Sequence, residues 1–332
     1  MSTDFQHGGA LDRVASRFPA APSPWVDLST GINPWPWPVE RVEIDGLHRL
    51  PTQDDMSRCR DAMAAAFDAP ADTMTLVPGT EIAIRLLPKV LSASRVAVLS
   101  PTYGDHAETW AAAGVVLLQS ANPLDDADDA DVVVVCNPNN PDGRRFDPAV
   151  LMATRERLAQ RNGWLIIDEA YADLDPAWSL SPMAGSPGLI VLRSTGKFFG
   201  LPGLRLGAVL GPSQITAALS QLLGVWQISG PALAIGALAY ADTDWHDAMR
   251  RQLAESRARI DASLMARGVR VTGGTDLYRY LEFDDAHAVW HQLCAHGIYT
   301  RRFEWTRHHL RMGLPSTPAA EARLVEALSL EH

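Results

Sequence analysis

Residues 131–143 read D-V-V-V-V-C-N-P-N-N-P-D-G. Four valines and a cysteine in succession leave neither side of a strand polar, so the strand they form is covered on both faces. The Asn-Pro and Pro-Asp-Gly that follow are turn chemistry and end it abruptly. The same texture recurs on either side. R-V-A-V-L at 95–99, G-V-V-L-L at 114–118, W-L-I-I-D at 164–168 and G-L-I-V-L-R-S at 188–194 are further short apolar runs, with helical stretches between them. That alternation predicts an α/β fold with a mostly parallel sheet. In such sheets functional groups gather beyond the carboxyl ends of the strands. Here that edge comprises Pro101–Tyr103, Asn137–Gly143, Asp168–Tyr171 and Ser194–Lys197.

Outward from this centre the texture changes. The first forty residues are rich in Gly, Pro and Trp and read as an ordered, irregular arm. Met56, Cys59, Met63 and Phe67 fall at helical spacing. The run L-V-P-G-T-E at 76–81 is a turn that opens an apolar helix. From about residue 212 the pattern becomes α+β, with a long amphipathic helix over 244–266 and a hairpin-like pair over 269–283. The expected organisation is an N-terminal arm (1–40) that contributes to the substrate site, a large α/β domain (41–230) and a smaller α+β domain (231–332).

The bulk composition excludes several partners. A net charge of −10 over 332 residues argues against a nucleic-acid groove or an anionic membrane surface. No apolar run approaches the roughly 18–20 residues that span a bilayer. The three cysteines are scattered, with no CxxC pair, so neither a structural metal nor a disulfide framework is expected. The acidic run Asp125–Asp131 lacks the glycine and glutamate of a calcium loop and reads as a solvated turn. A soluble, cytoplasmic protein is expected.

The chemistry turns on Lys197, set among small and apolar residues in R-S-T-G-K-F-F-G-L-P-G-L-R. Neither a P-loop nor a dinucleotide loop fits, because Phe198 follows the lysine and no G-x-G-x-x-G opens a helix here. A lysine in an apolar pocket loses its charge easily and then condenses with an aldehyde. Pyridoxal 5′-phosphate is the common biological aldehyde of this kind. It demands a carboxylate for its ring nitrogen, a donor near its ring oxygen, a stacking face and a phosphate cradle. The strand ends offer Asp168, Tyr171 with Asn140, Tyr103, and Gly79-Thr80-Glu81 at a helix start with Ser194 and Arg205. Each has a plainer reading taken singly: a strand-end cap, a turn, a core aromatic or an N-cap.

The order and spacing of G-T-E, P-T-Y, N-P-D-G, D-E-A-Y, S-x-x-K with its later Arg205, and L-R-M-G resemble the fold type I pyridoxal-phosphate-dependent aminotransferase family over nearly the whole chain. The resemblance implies a large domain with a mostly parallel central sheet and a smaller α+β C-terminal domain. It makes Lys197, Asp168 and Tyr171 catalytic and puts Arg311 on a substrate carboxylate. H-G-G-A-L at 7–11, D-L-S-T-G-I-N-P at 27–34 and the long lysine segment are most similar to the threonine-phosphate decarboxylases of cobalamin biosynthesis. Those act on O-phospho-L-threonine, and the histidinol-phosphate aminotransferases are their close relatives. By this resemblance His7, Gly8, Gly31, Asn140, Arg301 and Arg311 bind a small phosphorylated amino acid, and the enzyme is a homodimer. Arg301 and Arg302 are expected to present a charged fork. The alternatives are transamination of the histidinol-phosphate type and, more remotely, a pyridoxal-phosphate-binding protein without turnover. One departure stands out: many members carry Tyr where this chain has Leu50, and that Tyr reaches the partner subunit's cofactor phosphate.

Overall fold

A computed structural model describes residues 8–42 and 46–329. The chain divides into two compact units. One comprises the described residues up to Trp35, Pro141–Gly143 and the chain from Asp247 on; the other comprises Pro36–Asn140 and Arg144–His246. By their contacts the units change after Trp35 and after His246, where the sequence sets divisions near 40 and 230. Among the described residues no helix is long and apolar enough to cross a membrane.

The larger unit is built on a seven-stranded sheet: β2 (Met74–Val77), β3 (Arg95–Leu99), β4 (Val116–Ser120), β5 (Val132–Cys136), β6 (Trp164–Asp168), β7 (Leu189–Ser194) and β8 (Gly207–Leu210), in the order β2-β8-β7-β6-β5-β3-β4. From β7 to β4 all pairings are parallel; β8 runs antiparallel to β7 and β2. Every residue of β5 is buried, as its valine run requires. The 114–118 run yields the edge strand β4, where Val116 is exposed because only one neighbour flanks it.

Helices cover the sheet. They are α2 (Gln53–Ala66), α3 (Thr80–Val90), α4 (Gly104–Ala112), α5 (Pro148–Ala159), α6 (Ser213–Leu223) and α7 (Gly230–Ala241). Ile84 and Leu87 of α3, Trp110 of α4 and Ile215 of α6 join Val132, Val134, Ile166 and Ile190 in one buried cluster. Helix α2 starts with a capping box between Thr52 and Asp55 and packs on α7, which draws α7 into this unit.

The smaller unit holds α1 (Leu11–Arg17) and a five-stranded sheet ordered β1-β11-β12-β10-β9. Its strands are β1 (Val26–Leu28), β9 (Arg270–Thr275), β10 (Tyr278–Glu282), β11 (Ile298–Arg302) and β12 (His309–Gly313). The arm therefore enters the sheet, β1 pairing parallel with β11. Helix α8 (Thr243–Met265), the long helix expected from sequence, belongs to this unit from Asp247 on; α9 (Ala286–Ala295) and α10 (Pro318–Ala327) complete it.

Candidate active site

At the carboxyl ends of β5, β6 and β7 the larger unit encloses a cavity. Lys197, Asp168, Tyr171, Tyr103 and Asn140 line it, and so do Gly79, Thr80, Glu81, Ser194 and Arg205. Parallel strands pointing the same way deliver these groups to one edge from segments far apart in sequence. Lys197 Nζ lies 5.9 Å from the centre of the Tyr171 ring. The 137–140 turn is held from the neighbouring loop: Thr102 Oγ1 donates to Asn139 Oδ1 (2.7 Å) and Asn139 Nδ2 donates to the Pro101 carbonyl (3.1 Å).

Asp168 closes β6 and is buried. One oxygen accepts the Ala170 N–H at 3.0 Å; the other lies 2.9 Å from His106 Nε2. Cys136, directly across the parallel register from Asp168, completes a buried trio whose polar atoms all lie within 4.8 Å of one another. Burial pulls the His106 pKa down, but hydrogen bonds to Asp168 and Cys136 more than offset it, and the net result is a rise to about 10. The partners behind the carboxylate thus favour the protonated form of the imidazole. Neither residue is marked by a motif in the sequence. His106 stands one helical turn beyond Tyr103, and Cys136 is fixed by strand register, so lining up the strand ends would have found it.

The opposite end of the cavity is a cradle. No side chain caps α3, which starts at Thr80. Gly79 precedes it with φ +84°, a region that favours glycine. A Cβ on Gly79 would sit 2.5 Å from Arg205 Nη2, so only glycine lets the guanidinium approach the helix start. Ser194 Oγ accepts the Gly196 N–H (3.2 Å). Glu81 turns aside to pair with Arg85 (3.1 Å). Amine, buried carboxylate, phenols, and helix N-terminus with arginine are the donor set that pyridoxal 5′-phosphate requires, and the glycine-shaped cradle fits its phosphate.

The smaller unit gathers the remaining candidates, apart from His7, which lies outside the described residues. Arg301 and Arg311 are paired across β11 and β12 and so share one face. Arg311 Nη2 donates to the Ser29 carbonyl (2.8 Å). Burial first, and then the charge of Arg311, push the Arg301 pKa down to about 10. Ser29 is itself fixed: Asp27 accepts its N–H and its hydroxyl (2.9 and 2.6 Å), and its Oγ accepts the Gly9 N–H (2.8 Å). Gly8 lies so close that a Cβ there would be 2.5 Å from the Ser29 carbonyl oxygen. Gly31 is buried just beyond. The expected Arg301–Arg302 fork does not form. Strand alternation turns Arg302 away, and its guanidinium lies 4.8 Å over Trp290.

A model of the family described as aminotransferase class I and II matches residues 38–328. A threonine-phosphate decarboxylase of Sinorhizobium sp is 40% identical over 99% of this chain and 99% of its own length. Another, from Pseudomonas aeruginosa, is 40% identical over 97% of each. Among solved structures, a histidinol-phosphate aminotransferase of Sinorhizobium meliloti in complex with pyridoxal-5′-phosphate superposes with a TM-score of 0.83, covering 96% of this chain and 93% of that one at 18% identity, a likeness of fold.

Proposed function

The chain belongs to the class I and II aminotransferase family, and from that premise we propose that it decarboxylates O-phospho-L-threonine with pyridoxal 5′-phosphate as cofactor. The product is (R)-1-amino-2-propanol phosphate, which the sequence resemblance places in cobalamin synthesis. The observation that carries the reading is full-length identity of 40% to two threonine-phosphate decarboxylases, in a chain whose cavity joins a lysine, a buried carboxylate and a phosphate cradle.

Lys197 would hold the cofactor's aldehyde carbon, with Asp168 on the ring nitrogen and Tyr171 and Asn140 near the ring oxygen. Tyr103 offers a face to the ring. Thr80, Ser194 and Arg205 would hold the phosphate. When bound, the cofactor supplies an electron sink for the pair left on Cα as CO₂ departs. His106, 2.9 Å from the Asp168 carboxylate, would keep it aimed. Lys197 would be the group that returns a proton to Cα. Arg301 and Arg311 present two positive charges on one sheet face, suited to an anionic substrate.

The homodimer belongs to the same proposal. Leu47, Leu50, Val225, Trp226 and Leu238 are exposed, and Gly46 lies against Gly230, which brings the 46–50 loop beside the 225–230 segment. An apolar surface of this kind suits a second copy, and sedimentation would read the stoichiometry. The three free cysteines, all buried, are compatible with the cytoplasm.

The test mixes cofactor-loaded protein with O-phospho-L-threonine alone. CO₂ in excess over enzyme, lost in Lys197→Ala, is the expected result. No CO₂, together with amine transfer from histidinol phosphate to 2-oxoglutarate, would overturn the reading in favour of transamination.

A further inference from the structure

Lys197 stands past the end of β7, on a turn. Thr195 donates its N–H to the Leu206 carbonyl (3.2 Å), and the Gly200 N–H returns to the Lys197 carbonyl (3.2 Å). The anchors of this turn are the two residues after the lysine. Phe198 and Phe199 are 0% and 1% exposed. The Phe199 ring stacks on Trp245, with centroids 5.7 Å apart and planes 11° apart, and its backbone carbonyl accepts the Trp37 N–H (2.9 Å).

These contacts close into a ring. The Trp37 indole N–H donates to Asp242 Oδ2 (3.0 Å), and Asp242 Oδ1 accepts the Trp245 N–H (3.2 Å). The path from Phe199 through Trp37, Asp242 and Trp245 thus returns to Phe199. Arg41 adds an ion pair to Asp242 at 3.7 Å. Trp37 and Trp245 lie within two residues of the points where the chain enters and leaves this unit, before Pro36 and after His246. A simple packing role would need only buried rings. A closed circuit of two backbone donors, one shared carboxylate and a stacked pair fixes direction as well as position.

We propose that Trp245 is a positioning residue for Lys197, acting through Phe199 and held in place by Asp242 and Trp37. The inference rests on Lys197 bearing the cofactor. A lysine that must give up the cofactor to the substrate and then carry a proton to one carbon works within hydrogen-bond reach. A misplacement of about 1 Å can cost on the order of 100-fold in rate. Trp245 itself does not line the cavity, so its effect passes through the turn.

The experiment compares Trp245→Leu, Trp245→Phe and Asp242→Asn with the wild-type holoenzyme. It follows CO₂ release, cofactor content, melting temperature and the pH midpoint of the bound cofactor's visible absorption. Trp245→Leu should lower kcat by about 10- to 100-fold, leave KM within about threefold and keep the cofactor bound, while the absorption midpoint moves. Trp245→Phe keeps a stacking ring and should regain most of kcat. Ile215→Val in the core of α6 serves as a control for lost stability and should leave both kcat and midpoint unchanged. Should Trp245→Leu fail to fold, Asp242→Asn decides, with a smaller change in the same direction. Unchanged kcat and midpoint in a folded variant, whatever its melting temperature, would overturn the proposal. A wild-type protein that binds cofactor but releases no CO₂ would instead sink the decarboxylase reading, and the absorption midpoint would still report on the lysine.

Discussion

Asp168 and Glu169 follow one another in the chain, carry the same charge and are both buried, yet their surroundings have nothing in common. Asp168 lines the cavity with Lys197 and is backed by His106. Glu169 is wholly enclosed. It accepts hydrogen bonds from the Leu180 N–H and the Ser179 and Ser181 hydroxyls, and Arg193 Nη1 lies 3.4 Å away. Arg193 in turn pairs with Asp173 and lies 3.9 Å over the Phe67 ring. Burial pushes the Glu169 pKa up against the pull of Arg193. One carboxylate is enclosed by protein donors, whereas the other presents its charge to an opening. The contrast predicts that damage to the first will be felt in catalysis and damage to the second in stability.

The largest expected effect comes from breaking the open member. Asp168→Asn keeps the size and loses the carboxylate that lines the cavity beside His106. CO₂ release per bound cofactor should fall by about 10²- to 10³-fold, with the melting temperature little changed. A large loss of stability with normal turnover would place Asp168 in the same class as Glu169.

Breaking the closed member should do the converse. Arg193→Met leaves Glu169 and Asp173 buried without their shared cation, a change that costs about 3–5 kcal/mol. Urea unfolding would read that loss. Turnover per bound cofactor in the folded fraction should stay within about threefold of wild type. A turnover deficit larger than the stability deficit would join the two clusters into one functional network.

The comparison sharpens with pH. The His106 pKa is raised in the folded protein, from 6.5 to about 10. Its contribution to stability is therefore complete below about pH 6.5 and is lost as pH climbs through about 10. Melting temperatures across that window should decline in the wild type and decline less in His106→Asn. Equal slopes would mean that the imidazole is not held protonated behind Asp168.

Most of the cavity lining was legible in the sequence because Gly79–Glu81, Tyr103, Asn140, Tyr171 and Lys197 come just after strands. Val132–Cys136 and Trp164–Asp168 announce strands covered on both faces, and the parallel sheet brings whatever follows them to one edge. What stayed hidden depends on register and alternation between strands. His106 and Cys136 reach Asp168 through the pairing of β5 with β6 and the first turn of α4. The antiparallel insertion of β8 and the entry of the arm as β1 are pairings that no local pattern encodes. The larger unit runs on to His246 for a related reason. Helix α7 is almost uniformly apolar, and its packing on α2 and of Tyr240 on Phe199 assigns it to the larger unit.

Arg301 and Arg302 repeat the theme of adjacent like charges, now on a strand, where side chains alternate strictly between faces. Arg301 lies on the face of Arg311; Arg302 rests on Trp290 and pairs with Glu304 at 3.1 Å. The smallest effect is therefore expected at Arg302. Replacing it by Met keeps apolar contact with the indole and removes a cation–π contact that contributes about 0.5–1 kcal/mol. KM for O-phospho-L-threonine should be unchanged, whereas Arg301→Met should raise it about tenfold or more, as expected for a lost hydrogen bond to a charged group. If Arg302→Met raised KM as much as Arg301→Met, the substrate anion would be reaching both faces of β11, and the division of labour between neighbouring charges would fail where the alternation is strictest.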